Sequence, residues 1–164
     1  MYGFTMIDKI GLKTTMNELV AYKILKPGEN EVVECARLSG ELHRLGARAR
    51  DPNIVLYYDP KDEPGCRREV MIPIDKAIEG VESKMVPEMK VAFLVFIGTD
   101  KPVEYYYEEL YKYIEGQGMK PASDMCSLEA VYQPDEFNLS YGSFIDEDNP
   151  EHWRTEIMIP VVVE

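Results

Sequence analysis

Apolar and polar positions alternate with a period of two from Glu18 to Lys26. Val20, Tyr22 and Ile24 fall on one face and Ala21, Lys23 and Leu25 on the other, which predicts a strand. Pro27-Gly28 turns the chain. Over 29–45 the spacing becomes helical, with Val32, Cys35, Leu38, Leu42 and Leu45 on one face and Gly46 placed to stop the helix. Asn53–Tyr58 and Arg67–Ile74 read as two further strands, separated by the Pro- and Gly-containing turn 59–65. The first unit is therefore strand, helix, strand, strand.

The order repeats. Lys90–Ile97 is apolar on both faces, as a strand buried on both sides would be. Pro102 suits a first helical turn. Val103, Tyr106 or Tyr107, Leu110 and Ile114 form the stripe of a second helix that ends at Gly116 and Gly118. Ser127–Tyr132 and Arg154–Val163 complete the second unit. Residues 1–18 are weakly patterned and predict a short strand or an ordered tail. Residues 76–89, charged and punctuated by Gly80 and Pro87, predict a connector. The expected organisation is an N-terminal extension (1–18) and one domain (19–164), made of a first repeat (19–75), the connector (76–89) and a second repeat (90–164).

Sequence identity between the copies supports duplication. Glu69-Val70-Met71-Ile72-Pro73 reappears 87 positions later as Glu156-Ile157-Met158-Ile159-Pro160. Val20-Ala21-Tyr22 reappears 71 positions later as Val91-Ala92-Phe93. The second copy is longer, with the extra chain at Gln133–Gly142. Two copies of one unit leave a groove between them, so the expectation is α+β, with equivalent positions for Glu69 and Glu156.

Composition narrows the function. The chain has 164 residues, 45% of them hydrophobic and 29% charged, enough for a core in one domain. A net charge of −12 argues against direct nucleic-acid binding, which needs a basic patch, and suits a cationic ligand or a basic partner. Three cysteines form no even framework, and no signal peptide or membrane span is legible, so a cytoplasmic protein with free thiols is expected. Two histidines without ligand spacing argue against a zinc site, and no cofactor fingerprint is present; neither metal nor cofactor is expected.

The candidate chemistry lies in carboxylates placed on apolar strands. In the last strand, Glu156 shares a face with Met158 and Pro160. A carboxylate there needs a hydrogen-bond donor, a cation or a proton. It is the candidate counter-charge for a ligand, or pairs with Arg154 or an exposed lysine. Glu69 follows Arg67 and Arg68 and is expected in a structural ion pair. Eleven tyrosines exceed five phenylalanines and one tryptophan. Tyr22, Tyr57, Phe93, Tyr132 and Trp153, with Met158, are the expected pocket walls, since aromatic faces and a carboxylate together receive lipophilic cations.

The tandem order, the closing Glu-Ile-Met-Ile-Pro strand and the helix Val103 to Gly118 with its Leu110-Tyr111-Lys112-Tyr113 resemble the GyrI-like small-molecule-binding superfamily. The resemblance implies an antiparallel sheet about a pseudo-two-fold groove, with the helices packed outside. It implies an aromatic pocket with an acidic residue at its floor, for which Glu156 is the matching position, and a role in multidrug binding or transcription regulation. Free-standing members include hydrolases of cyclopropane-containing toxins. The resemblance therefore carries a second reading, in which Glu156 is catalytic and acts as a general base, and a third, a protein-interaction module such as a gyrase-protecting or regulatory partner.

Overall fold

The computed structural model describes residues 6–98, 101–132 and 154–163. Trp153 and the expected insertion at Gln133–Gly142 lie outside the described residues. The elements are β1 (Met6–Thr14), β2 (Glu18–Ile24), α1 (Glu31–Arg44), β3 (Asn53–Tyr57), β4 (Arg68–Pro73), β5 (Ser83–Val86), β6 (Lys90–Ile97), α2 (Val103–Gly116), β7 (Met119–Pro121), β8 (Ser127–Tyr132) and β9 (Arg154–Val163). Eight strands form one antiparallel path, β1-β6-β9-β8-β3-β4-β2-β5, and β7 pairs with the end of β9.

The strand order reads the same from both ends once the two halves are exchanged. β6, β9 and β8 correspond to β2, β4 and β3. The registers agree residue by residue. Glu69 faces Ile24 and Leu56 across its two neighbours, and Glu156 faces Val95 and Ala130. Val20 opposes Pro73 just as Val91 opposes Pro160. The two glutamates thus hold equivalent positions, as duplication requires.

The segments outside the expected repeats are structural. β1 lies within the tract 1–18 and pairs along its length with β6. β5 lies within the connector and pairs with β2. Each flanking strand is therefore the edge strand of the other half. The links β1–β2 and β5–β6 touch, with the Thr15 amide donating to the Met89 carbonyl at 2.8 Å and the Met89 amide donating to the Thr15 hydroxyl at 2.9 Å. This exchange ties the halves together covalently and by ladder hydrogen bonds.

Each helix covers its own half on one sheet face. Cys35, Leu38 and Leu42 of α1 pack on Ala21, Val70 and Ile72. Tyr106, Leu110 and Ile114 of α2 pack on Ala92, Leu94, Ile157 and Ile159. The helix α1 begins two residues later than its spacing predicts, because the Asn30 side chain accepts a hydrogen bond from the Val33 amide and caps it. Cys35, Leu38 and Leu42 are buried as expected, but the stripe differs in its first turn. Val32 is exposed, and the position expected for it is taken by Glu34, buried between Lys23 and Arg37. Leu45 falls just past the helix, where Gly46 takes a φ of +73°. In α2 the alternative between adjacent tyrosines resolves to Tyr106, which is fully buried and stacks on Phe96 at 3.8 Å.

The opposite sheet face belongs to both halves at once. Val20, Met71, Leu56, Val91, Leu128, Ala130 and Met158 form its core. A small apolar cavity of about 90 Å³ lies there, lined from both halves by residues including Val20, Met71, Val91 and Met158. No helix among the described residues is long and apolar enough to cross a membrane.

Candidate functional site

Strand parity decides which side chains reach the face shared by the two halves. In β4 and β9 it carries Glu69 and Met71, and Glu156 and Met158; Val70, Ile72, Ile157 and Ile159 point to the helices. In β2 and β6 it receives Tyr22 and Phe93. Past the end of β3 it receives Tyr58, and at the end of β8 Tyr132.

Glu156 is 4% exposed, and its carboxylate is not alone. The Lys13 ammonium of β1 pairs with Oε2, and the Tyr132 hydroxyl donates to Oε1 at 3.4 Å. The same ammonium sits 4.7 Å from the centre of the Phe93 ring. It is thus held as a cation between an aromatic face and a carboxylate. Lys13 belongs to an edge strand and its side chain is 38% exposed, so it has a path to water. Burial, with the Glu156 charge beside it, pushes the Tyr132 phenol up from its ordinary pKa.

Glu69 repeats the arrangement. The Lys84 ammonium of β5 pairs with Oε2, the Tyr58 hydroxyl donates to Oε1 at 3.1 Å, and Lys84 lies 4.5 Å from the centre of the Tyr22 ring. Lysine and ring are displaced by 71 positions from Lys13 and Phe93. Tyr58 precedes Tyr132 by 74. The salt bridge expected at Glu69 exists, but its partner is Lys84. Arg67 and Arg68, its sequence neighbours, are engaged by Asp59 and Glu31. For Glu156, the partner is likewise a lysine from an edge strand and not Arg154, whose guanidinium lies 5.2 Å from the centre of the Tyr132 ring.

The expected wall residues divide. Phe93, Tyr132 and Met158 meet Glu156 on the shared face. Tyr22 lines the other constellation, beside Glu69. Tyr57 is turned the other way: its hydroxyl donates to Glu31 of α1 at 3.2 Å, and the ring is buried on the helix side. It does not face Glu156, because neighbouring strand residues point to opposite faces. Its neighbour Tyr58 reaches the shared face instead, but beside Glu69 and not Glu156. Replacing Tyr57 by Phe is expected to leave ligand affinity unchanged and to cost about 0.5–1.5 kcal/mol of stability, the worth of one hydrogen bond, in urea melts.

The helix side carries a further polar group. The Tyr107 hydroxyl and the Lys61 ammonium both contact Glu129, each at 2.6 Å. Burial and the Glu129 charge raise the Tyr107 phenol far above its ordinary pKa. Glu129 lies across the sheet from the shared face and does not join either constellation. Among the described residues, no three His, Cys, Asp or Glu side chains are grouped to hold a metal ion.

No protein-family model and no curated protein matches the chain. Solved structures do. The C-terminal domain of EcmrR superposes with a TM-score of 0.73 at 15% identity, covering 95% of this chain and 98% of that domain. The chain has the GyrI-like fold. The edge-to-edge symmetry of the sheet and both helices on one side of it agree with what the resemblance implied. In an EcmrR–DNA complex the same likeness gives a TM-score of 0.71 at 14% identity, and the chain spans 58% of the length of that protein. Two other structures with likeness to this chain are a hydrolase encoded by lin2189 from Listeria innocua and SAV2435 bound to tetraphenylphosphonium. The first has a TM-score of 0.58 at 11% identity, covering 94% of this chain and 92% of that one. The second has a TM-score of 0.53 at 14% identity, covering 94% of each.

The sequence reading missed Lys13, Lys84 and Tyr58. A signal for them existed. The 71-residue displacement that relates Val20-Ala21-Tyr22 to Val91-Ala92-Phe93 also relates Lys13 to Lys84, provided that the flanking tracts are included in the repeat.

Proposed function

We propose that this chain is a small-molecule-binding module that takes hydrophobic cations on the face shared by its two halves, with Glu156 as counter-charge. The observation that carries the reading is the placement of the Lys13 ammonium. An organic cation needs an aromatic face and a desolvated negative charge, and Lys13 has both in Phe93 and Glu156. The folded chain fills the site with a cation of its own. A ligand enters by displacing it: Lys13 swings to water, and the ligand charge takes its place against Glu156. Met158 and the adjoining apolar floor contact the rest of the ligand, and Tyr132 keeps its hydrogen bond to the carboxylate. A GyrI-like neighbour seen with tetraphenylphosphonium supports the ligand class.

Displacement makes the charge of the ligand decisive. A neutral molecule of equal shape gains the apolar contacts but leaves Lys13 in place. Tetraphenylphosphonium and neutral tetraphenylmethane or tetraphenylsilane derivatives, solubilised equally, can be compared by competition against a fluorescent lipophilic cation. The cation is expected to bind at least tenfold more tightly, the difference that about 1.4 kcal/mol makes. Equal affinities would remove Glu156 from the binding reading. Recovery of the ligand intact after long incubation separates binding from the hydrolytic reading, in which Glu156 would activate water.

A further inference from the structure

We infer that the Glu69 constellation is a second cation site, so that one chain holds two cations, and that this second site favours primary ammonium ligands. The inference rests on the reading of Glu156 given above.

The two constellations share every part that the chemistry needs. Each has a carboxylate with almost no exposure, a tyrosine hydroxyl on one oxygen, a lysine on the other and an aromatic ring beneath the ammonium. The Lys84 side chain is 34% exposed, close to the 38% of Lys13, so the internal cation has the same route out. The sites do not merge. Glu69 and Glu156 lie on β4 and β9, with β3 and β8 between them. Three strand spacings set them roughly 14 Å apart across the sheet.

They differ at a position beside the ring, Gly11 in one half and Glu82 in the other. On β1 the position is Gly11, and Phe93 lies so close that a Cβ there would meet the ring at 3.3 Å. Gly11 brings no side-chain hydrogen-bond acceptor to this wall, which the Phe93 ring covers. The residue 71 positions later is Glu82, just before β5, and Tyr22 donates its hydroxyl to that carboxylate at 2.9 Å. The Glu69 site therefore has a second carboxylate and two phenol oxygens at its edge, all able to accept hydrogen bonds. A quaternary or phosphonium cation has no N–H to offer them. A protonated primary amine has three, and keeps its hydrogen bonding when it leaves water. The Glu82 carboxylate also adds attraction without requiring an apolar surface around the charge.

The probe is phenethylammonium, followed by isothermal titration of the full chain, with its N,N,N-trimethyl analogue in parallel. For phenethylammonium the expected stoichiometry is two per chain in the wild type and one in E69Q. The remaining event should be lost or weakened about tenfold or more in the double variant E69Q/E156Q, as when a hydrogen bond to a charged group is removed. The trimethyl analogue should lose affinity mainly at the Glu69 site. If E156Q abolishes all binding and E69Q changes nothing, Glu156 remains a counter-charge and the second site is refuted. If E69Q removes binding and E156Q is silent, the second site stands and the Glu156 reading falls. If neither substitution matters, both fall. Should E69Q fail to fold, E82Q replaces it: loss of the exposed second carboxylate should weaken the second phenethylammonium event, and an unchanged titration overturns the inference.

Discussion

Replacement of Lys13 by methionine is expected to destabilise the folded chain while tightening its hold on a lipophilic cation. The two effects come from one cause. Glu156 is 4% exposed and, among the described residues, keeps only the Tyr132 hydroxyl, at 3.4 Å, once the ammonium is gone. Leaving a buried charge without its partner costs about 3–5 kcal/mol. The partial exposure of Lys13 shows that water reaches the rim of the site, so the lower end, about 3 kcal/mol, is expected. An added cation should restore the loss, because it binds the native state alone. Its affinity should rise about tenfold if the site is free of lysine for about one-tenth of the time in the wild type. Urea melts with and without tetraphenylphosphonium measure both quantities. A variant as stable as the wild type would show that Glu156 is not desolvated. A destabilised variant with unchanged cation affinity would show that Lys13 does not compete for the site.

Glu156→Gln should behave in the opposite way. The substitution keeps the volume and removes the charge. Cation binding should weaken by about 1.5–3 kcal/mol, roughly tenfold to a hundredfold, while a neutral isostere binds as before. Stability should change by less than about 1 kcal/mol, since the freed Lys13 ammonium moves into water and is not trapped. The pair of variants thus separates a ligand site from a structural ion pair. A structural pair loses stability from either side and binds nothing. A ligand site loses stability from the lysine side and affinity from the glutamate side.

The asymmetry has a structural origin. Both lysines stand on edge strands, β1 and β5, whereas both glutamates stand on interior strands. An edge strand has one flank open to water, and a long side chain on it can leave without opening the sheet. A carboxylate on an interior strand has no comparable route. In the proposed function the counter-charge is fixed and its internal cation exchangeable, the arrangement that a receptor for cations requires.

Much of this was legible in the chain. The shift from period two to helical spacing, twice over, located both helices and the repeat strands to within a few residues. The repeated Glu-x-Met-Ile-Pro put Glu69 and Glu156 at equivalent places before any register was known, because identical local patterns fold to identical strands when the surrounding order is also repeated. Other features were not legible. Tyr57 and Tyr58 are adjacent on the same strand end, and aromatic content cannot say which one meets Glu156's face; a one-residue difference in parity sends a ring to the helices. The buried position of Glu34 was hidden for a similar reason, since Val32 offered a hydrophobic residue at acceptable helical spacing.

What the sequence determined by itself was therefore local and internal to each copy: the periods of its elements, their order, their duplication and the apolar setting of two glutamates. What only the tertiary structure decided was the partner of each glutamate. Lys13 is 143 residues from Glu156 and belongs to a tract with weak patterning. It arrives there because β1 pairs with the first strand of the other repeat, an edge that exists only in the assembled sheet. No local period records that choice; the free edge of the assembled sheet does.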